Sequence, residues 1–231
     1  MPRLLGVDGC RGGWLVVQTT PPGQISWAIH AEAEAFIDQG GPELPLVAID
    51  MPIGLAEAGP RPCDRLARQR LGPRRSSVFP APVRAVLGAA DYPDACGRSQ
   101  AACGQKLSKQ AYYLLPKIEQ LDRLLRADQG RLDRVHEVHP ELAFAQWNGG
   151  EPMAGAKRTA GGRAQRLALV EQLFPGVPGA IRINFPRALL ADDDILDALA
   201  CLWSCRRIYE GTALALGGEI DGQGLPMRIQ A

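Results

Sequence analysis

The sequence is poor in net charge, in lysine and in long apolar runs, and each shortage bears on what class of protein it is. A formal net charge of +1 over 231 residues gives no bulk-charge argument for nucleic acid binding. Lys106, Lys109, Lys117 and Lys157 are the only lysines, so arginine carries most of the basic charge. That skew fits phosphate recognition by the guanidinium fork and GC-rich coding bias alike. No run reaches the roughly 18 apolar residues of a membrane span. The opening Met1-Pro2-Arg3-Leu4-Leu5-Gly6 carries no signal-like apolar stretch, so a cytoplasmic protein away from the membrane is expected. None of the six cysteines stands in Cys-x-x-Cys spacing, which argues against a zinc knuckle or a redox pair. Cys201 and Cys205 share one helical face and read as buried small hydrophobes in a reducing compartment. Walker and Gly-x-Gly-x-x-Gly motifs are missing too, and His136-Glu137-Val138-His139 is not a His-Glu-x-x-His zinc motif.

What remains is an ordinary globular composition, 46% hydrophobic and 22% charged. Leu4 to Asp8 reads as an apolar strand ending in an acid, followed by a turn containing Gly9, Gly12 and Gly13. Trp14 to Gln18 and Ile25 to Ile29 read as further strands around Pro21-Pro22-Gly23, together an antiparallel meander. Ala31 to Gln39 has helical composition, and after Gly40-Gly41-Pro42 a strand over Leu46 to Asp50 again ends in an acid. The order β-β-β-α-β departs from the plain alternation of a doubly wound sheet. Residues of about 55–130 have little β propensity and predict a helical insertion, with a helix over Lys109 to Arg126 that Pro116 should kink or restart. Val135 to Val138 predicts the fifth strand, Gly161 to Phe174 and Asp192 to Glu210 two more helices, and Leu225 to Ile229 a small edge strand.

Four acids stand where this order gives them meaning. Asp8 ends the first strand and Asp50 the fourth, while Asp194 and Asp197 share one face of the last helix by i, i+3 spacing. Clustered carboxylates raise one another's pKa and are costly without a cation. Mg²⁺ and Mn²⁺ prefer such hard oxygen ligands, and a two-ion site suits phosphodiester hydrolysis. Taken singly, Asp8 and Asp50 also fit turn caps, and Asp192 to Asp194 fit helix N-caps.

These stretches resemble domain-of-unknown-function family 429, predicted RNase H-like nucleases. The resemblance is carried by Gly6-Val7-Asp8-Gly9-Cys10-Arg11-Gly12-Gly13-Trp14, Ile49-Asp50-Met51-Pro52-Ile53-Gly54-Leu55, Arg74-Arg75-Ser76-Ser77-Val78-Phe79, Pro116-Lys117-Ile118-Glu119, Glu137-Val138-His139-Pro140-Glu141 and Asp193-Asp194-Ile195-Leu196-Asp197-Ala198. The last motif also resembles the final helix of RuvC-type Holliday-junction resolvases. The resemblance implies a single α/β domain with an RNase H-like mixed five-stranded sheet flanked by helices. It also implies Asp8, Asp50, Asp194 and Asp197 as ligands of Mg²⁺ or Mn²⁺.

Other residues are candidates around this centre. Glu137 would be an extra ligand or an orienting acid, and His139 a proton shuttle, a substrate contact or a strand-end histidine. Glu141 reads as a helix-start acid. Arg61, Arg65 and Arg68 fall on one helical face within an arginine-rich run reaching Arg74 and Arg75, a phosphate-binding patch or a solvated surface. Arg11, Arg68, Arg74, Arg75, Ser76, Ser77 and Lys117 are the expected substrate contacts, with Gln110 and Tyr113 as weaker ones. The expected activity is metal-dependent hydrolysis of phosphodiester bonds in DNA or RNA. The competing readings are ATP-dependent phosphotransfer of the actin and sugar-kinase kind, for which the Gly9 to Gly13 turn would cradle phosphate, and a non-catalytic nucleic-acid-binding protein. A homodimer is left open.

Overall fold

The computed structural model describes residues 2–20, 23–39 and 44–231. The turn signals at Pro21-Pro22 and Gly40-Gly41-Pro42 lie outside the described residues. β1 (Leu4–Cys10), β2 (Gly13–Thr20) and β3 (Gln24–His30) form the antiparallel meander. α1 is a single turn, Glu34–Ile37, shorter than the expected Ala31 to Gln39. An isolated helix that short has no stability of its own, and Phe36 and Ile37 hold it by burial in the core. β4 (Leu46–Asp50) and β5 (Val135–Glu137) then run parallel to β1, giving the order β3-β2-β1-β4-β5. This is the α/β class with a mixed five-stranded sheet flanked by helices, consistent with an RNase H-like arrangement.

Between β4 and β5 lie α2 (Pro62–Leu71), α3 (Tyr92–Cys103) and α4 (Lys109–Ala127), with short 3₁₀ turns. α4 runs continuously through Pro116, which neither restarts nor ends it. Pro116 is exposed, on the side where losing one helical hydrogen bond costs least. After β5 come α5 (Pro140–Trp147), α6 (Ala160–Leu173), α7 (Val177–Asn184) and α8 (Asp192–Tyr209). The expected strand near the C-terminus is β7 (Pro226–Gln230), but it pairs with β6 (Ala215–Ile220) in a separate hairpin. A single bridge, Val138 to Gln230, ties that hairpin to the end of β5.

Strand alternation divides the core. Leu5, Val7, Val47, Ile49 and Val135 cluster with Ile118, Leu121, Leu124 and Leu125 of α4 on one face. Leu4 and Ala48 cluster with Ile195, Ala198, Leu199 and Leu202 of α8 on the other. Each large apolar side chain so buried contributes about 1.5–3 kcal/mol. α8 lies unusually close to β1 because of one residue. A Cβ on Gly6 would stand 2.2 Å from the Leu202 amide nitrogen and 2.3 Å from the Ala198 carbonyl oxygen. Only glycine admits that approach, and the approach brings the first turns of α8 beside the end of β1.

No helix among the described residues is long and apolar enough to cross a membrane.

Candidate metal centre

Asp8 and Asp50 are register partners on neighbouring parallel strands. Their predecessors Val7 and Ile49 fill the α4 face, so alternation turns both carboxylates toward α8. Asp197 descends to meet them from α8, one residue before Ala198, whose carbonyl rests against Gly6. Carboxylate oxygens of Asp8, Asp50 and Asp197 all lie within 4.8 Å of one another. Asp8 and Asp197 are 7% and 5% exposed and Asp50 is half-buried.

The electrostatics follow from that geometry. Burial pushes the Asp8 carboxyl well above the usual range, and the charges of Asp50, Asp197 and Asp194 push it further. Burial, then Asp197, raises Asp50 to about 8. Asp197 is raised by burial and pulled back by Lys157, whose ammonium donates to its Oδ2 at 2.9 Å. Three carboxylates that resist ionisation together bind a proton or a cation. Their donor chemistry, hard oxygens at close quarters, fits Mg²⁺ or Mn²⁺.

Asp194 has a different first task. Its Oδ2 accepts from the Ala191 amide at 2.8 Å, capping the start of α8. It lines the same cavity as Asp197, as the i, i+3 spacing requires, but it is not among the three carboxylates gathered within 4.8 Å.

The centre opens into a cavity of about 460 Å³. Among the expected substrate contacts, Arg74, Ser76, Ser77 and His139 line it, as does Gln110. Arg74 and the serines come from the 3₁₀ segment Gly72–Ser77, which Arg68 steadies by donating to the Val78 carbonyl at 2.6 Å. Arg68 therefore supports the wall without being part of it. His139 lies within hydrogen-bond distance of the Ser77 carbonyl through Nε2, at 3.3 Å. Burial pushes its pKa down to about 4, which leaves it neutral near pH 7.

Four further expected residues do not line the cavity among the described residues. Arg11 and Arg75 are exposed. Tyr113 is 72% exposed. The Lys117 ammonium stands 5.3 Å from the Trp14 ring centroid, with its stem beside Gly9. The glycine turn is a tight hairpin in which the Gly12 amide donates to the Leu189 carbonyl at 2.9 Å. That donor is spent within the fold.

Glu137 stands apart from the three clustered carboxylates. It pairs in register with Ile49, not Asp50, and so belongs to the opposite strand parity. There it accepts from Arg61 at 2.6 and 2.8 Å and from the Ile53 amide at 2.7 Å. Arg61 also binds Asp64 at 2.6 Å and is only 2% exposed, so it forms no surface patch with Arg65 and Arg68. This hydrogen-bonded group pins the loop that follows Asp50. Asp221 pins it again by accepting from the Leu55 amide at 2.9 Å.

Sequence reasoning missed Lys157 and Arg158 as cavity residues. They sit in a loop without periodicity, where no pattern announces which way a side chain turns. It also read Glu141 as a simple helix-start acid. Glu141 is in the first turn of α5, but it is buried and paired with Arg166.

A family model described as protein of unknown function (DUF429) matches residues 6–221, nearly the whole chain, and the chain belongs to that family. Comparison with curated proteins gave no match, and comparison with solved structures gave none.

Proposed function

We propose that this member of the DUF429 family is a divalent-metal-dependent hydrolase of phosphodiester bonds in nucleic acid. One observation carries the reading: Asp8, Asp50 and Asp197, from two strands and a helix, converge within 4.8 Å at the floor of an open cavity. Stability alone does not account for such a cluster, because each carboxylate makes its neighbours harder to ionise. A bound Mg²⁺ or Mn²⁺ would supply charge neutralisation and a water acidified enough to attack phosphorus.

The chain's own residues divide the remaining work. Asp8, Asp50 and Asp197 would hold the ion. Asp194 holds the start of α8 and, through it, the height of Asp197. Arg74 and Arg158 offer guanidinium forks to phosphate oxygens, and Ser76 and Ser77 offer hydroxyls. Six free thiols, four of them buried, support a reducing, cytoplasmic setting.

The test is cleavage of branched DNA, single-stranded DNA and RNA–DNA hybrid with Mn²⁺, comparing the wild type with Asp8→Asn. Metal-dependent turnover that falls on the order of 100-fold or more in the variant is expected. Binding of these substrates without turnover would replace the proposal with a non-catalytic nucleic-acid-binding role. Thermal stabilisation by ATP, with no cleavage, would replace it with phosphotransfer.

A further inference from the structure

We infer that Lys157 takes the place of a second cation, so that the carboxylate centre holds one divalent ion where a two-ion site would be expected. The inference rests on the proposed metal reading and sets its stoichiometry. A two-ion centre needs its ions about 3.5–4 Å apart, each drawing on shared carboxylates. The Lys157 ammonium lies 2.9 Å from Asp197 Oδ2 and 3.8 Å from Asp193 Oδ2. It therefore sits against the α8 carboxylates of the cluster and occupies an oxygen that a second ion would need. An ion bound to Asp197 Oδ2 at about 2.1 Å would contend with the ammonium for that oxygen. Among the described residues, no side-chain or amide donor reaches the carboxylates of Asp8 and Asp50 as Lys157 reaches Asp197. The β1–β4 side is thus the side left for an ion. In charge, one divalent ion and one ammonium match the three clustered carboxylates.

The loop bearing Lys157 is built to keep it there. Arg166 donates to the Gly155 carbonyl at 3.0 Å, and the Gly155 amide donates to Gln165 Oε1 at 3.0 Å. Arg166 is itself fixed by its buried pairing with Glu141. On the far side, the Thr159 hydroxyl donates to the Ala156 carbonyl at 2.8 Å. Gly155 and Gly162 let the loop lie directly on α6. A Cβ on Gly155 would stand 2.6 Å from the Gly162 Cα, and one on Gly162 would stand 2.1 Å from the Ala156 oxygen. Backbone anchors stand on both sides of Lys157, so the fold fixes where its side chain starts out toward Asp197.

The experiment counts Mn²⁺ per chain by calorimetry and looks for spin coupling between ions by electron paramagnetic resonance. It uses the wild-type chain, Lys157→Met and Lys157→Arg. One uncoupled ion is expected in the wild type and in Lys157→Arg, which keeps the charge. Two coupled ions are expected in Lys157→Met. Two ions in the wild type would overturn the inference while leaving the metal reading standing. One ion in all three chains, with Lys157→Met folded by circular dichroism, would overturn it too. No Mn²⁺ bound by any of them would overturn the metal reading and the inference together. If Lys157→Met does not fold, Lys157→Gln takes its place: two coupled ions there support the inference and one overturns it.

Discussion

Two sets of buried acids lie one residue apart in the same sheet, and they are treated in opposite ways. Glu137, register partner of Ile49, is saturated by Arg61 and a backbone amide and shares Arg61 with Asp64. Asp50, the next residue along β4, faces Asp8 and Asp197 with Lys157 as the nearby cation. In the first set, hydrogen-bonded partners offset part of the cost of taking charge out of water, and the set braces the loop after β4. In the second the cost is left standing. One guanidinium hydrogen-bonds both acids of the first set, while among the described residues Asp8 and Asp50 are held by no such fork, and that contrast separates a brace from a binding centre.

The contrast can be broken from either side. Arg61→Ala should have the largest effect, because it strands Glu137 and Asp64 without their cation. Removing one partner of a buried pair costs about 3–5 kcal/mol. Urea denaturation should show a loss of that size, and a loss below about 1 kcal/mol would mean the brace is not one.

Gly6→Ala comes next. The added methyl meets the α8 backbone at 2.2 Å, where nothing flexible can yield. Overpacking of this kind costs about 1–3 kcal/mol. The shift of α8 should also carry Asp197 away from Asp8 and weaken Mn²⁺ affinity, read by calorimetry. Unchanged affinity would show that the Gly6 contact does not set the site.

The smallest effect has the opposite sign. In the metal-free chain Asp50 holds its proton up to about pH 8, against 3.8 for an ordinary aspartate. The folded state then binds more protons than the unfolded state across that window, so this group's contribution to stability falls as pH rises through it. Asp50→Asn should flatten the fall and raise metal-free stability near pH 8 by about 1–2 kcal/mol. It should also abolish stabilisation by Mn²⁺. Thermal melts across the window, with and without the ion, check both, and an unchanged slope in the variant would contradict the assignment.

Much of this was legible in the sequence because it depends on local patterns. Leu46 to Asp50 was bounded correctly by its apolar run, and the meander by its turns. Asp8 and Asp50 stand out as acids closing apolar strands, and Asp194 and Asp197 share a face by spacing alone. What was hidden depends on register and on side-chain direction. The alternation within β5 was readable, but its offset against β4 was not, and one residue of offset decides whether Glu137 joins Asp50 or opposes it. Arg61 looks like any member of an arginine run. Only the turn before Pro62, which places it at the helix N-cap, sends it inward. Lys157 depends on Gly155 and Gly162 touching across a loop, a contact that no periodicity encodes.

The most direct test is a crystal soaked in Mn²⁺ and measured for anomalous scattering. Density between the carboxylates of Asp8, Asp50 and Asp197, with none beside Glu137, is the predicted result. An empty cluster at saturating Mn²⁺, or an ion seated elsewhere in the chain, would contradict the claim that these three acids form a metal centre.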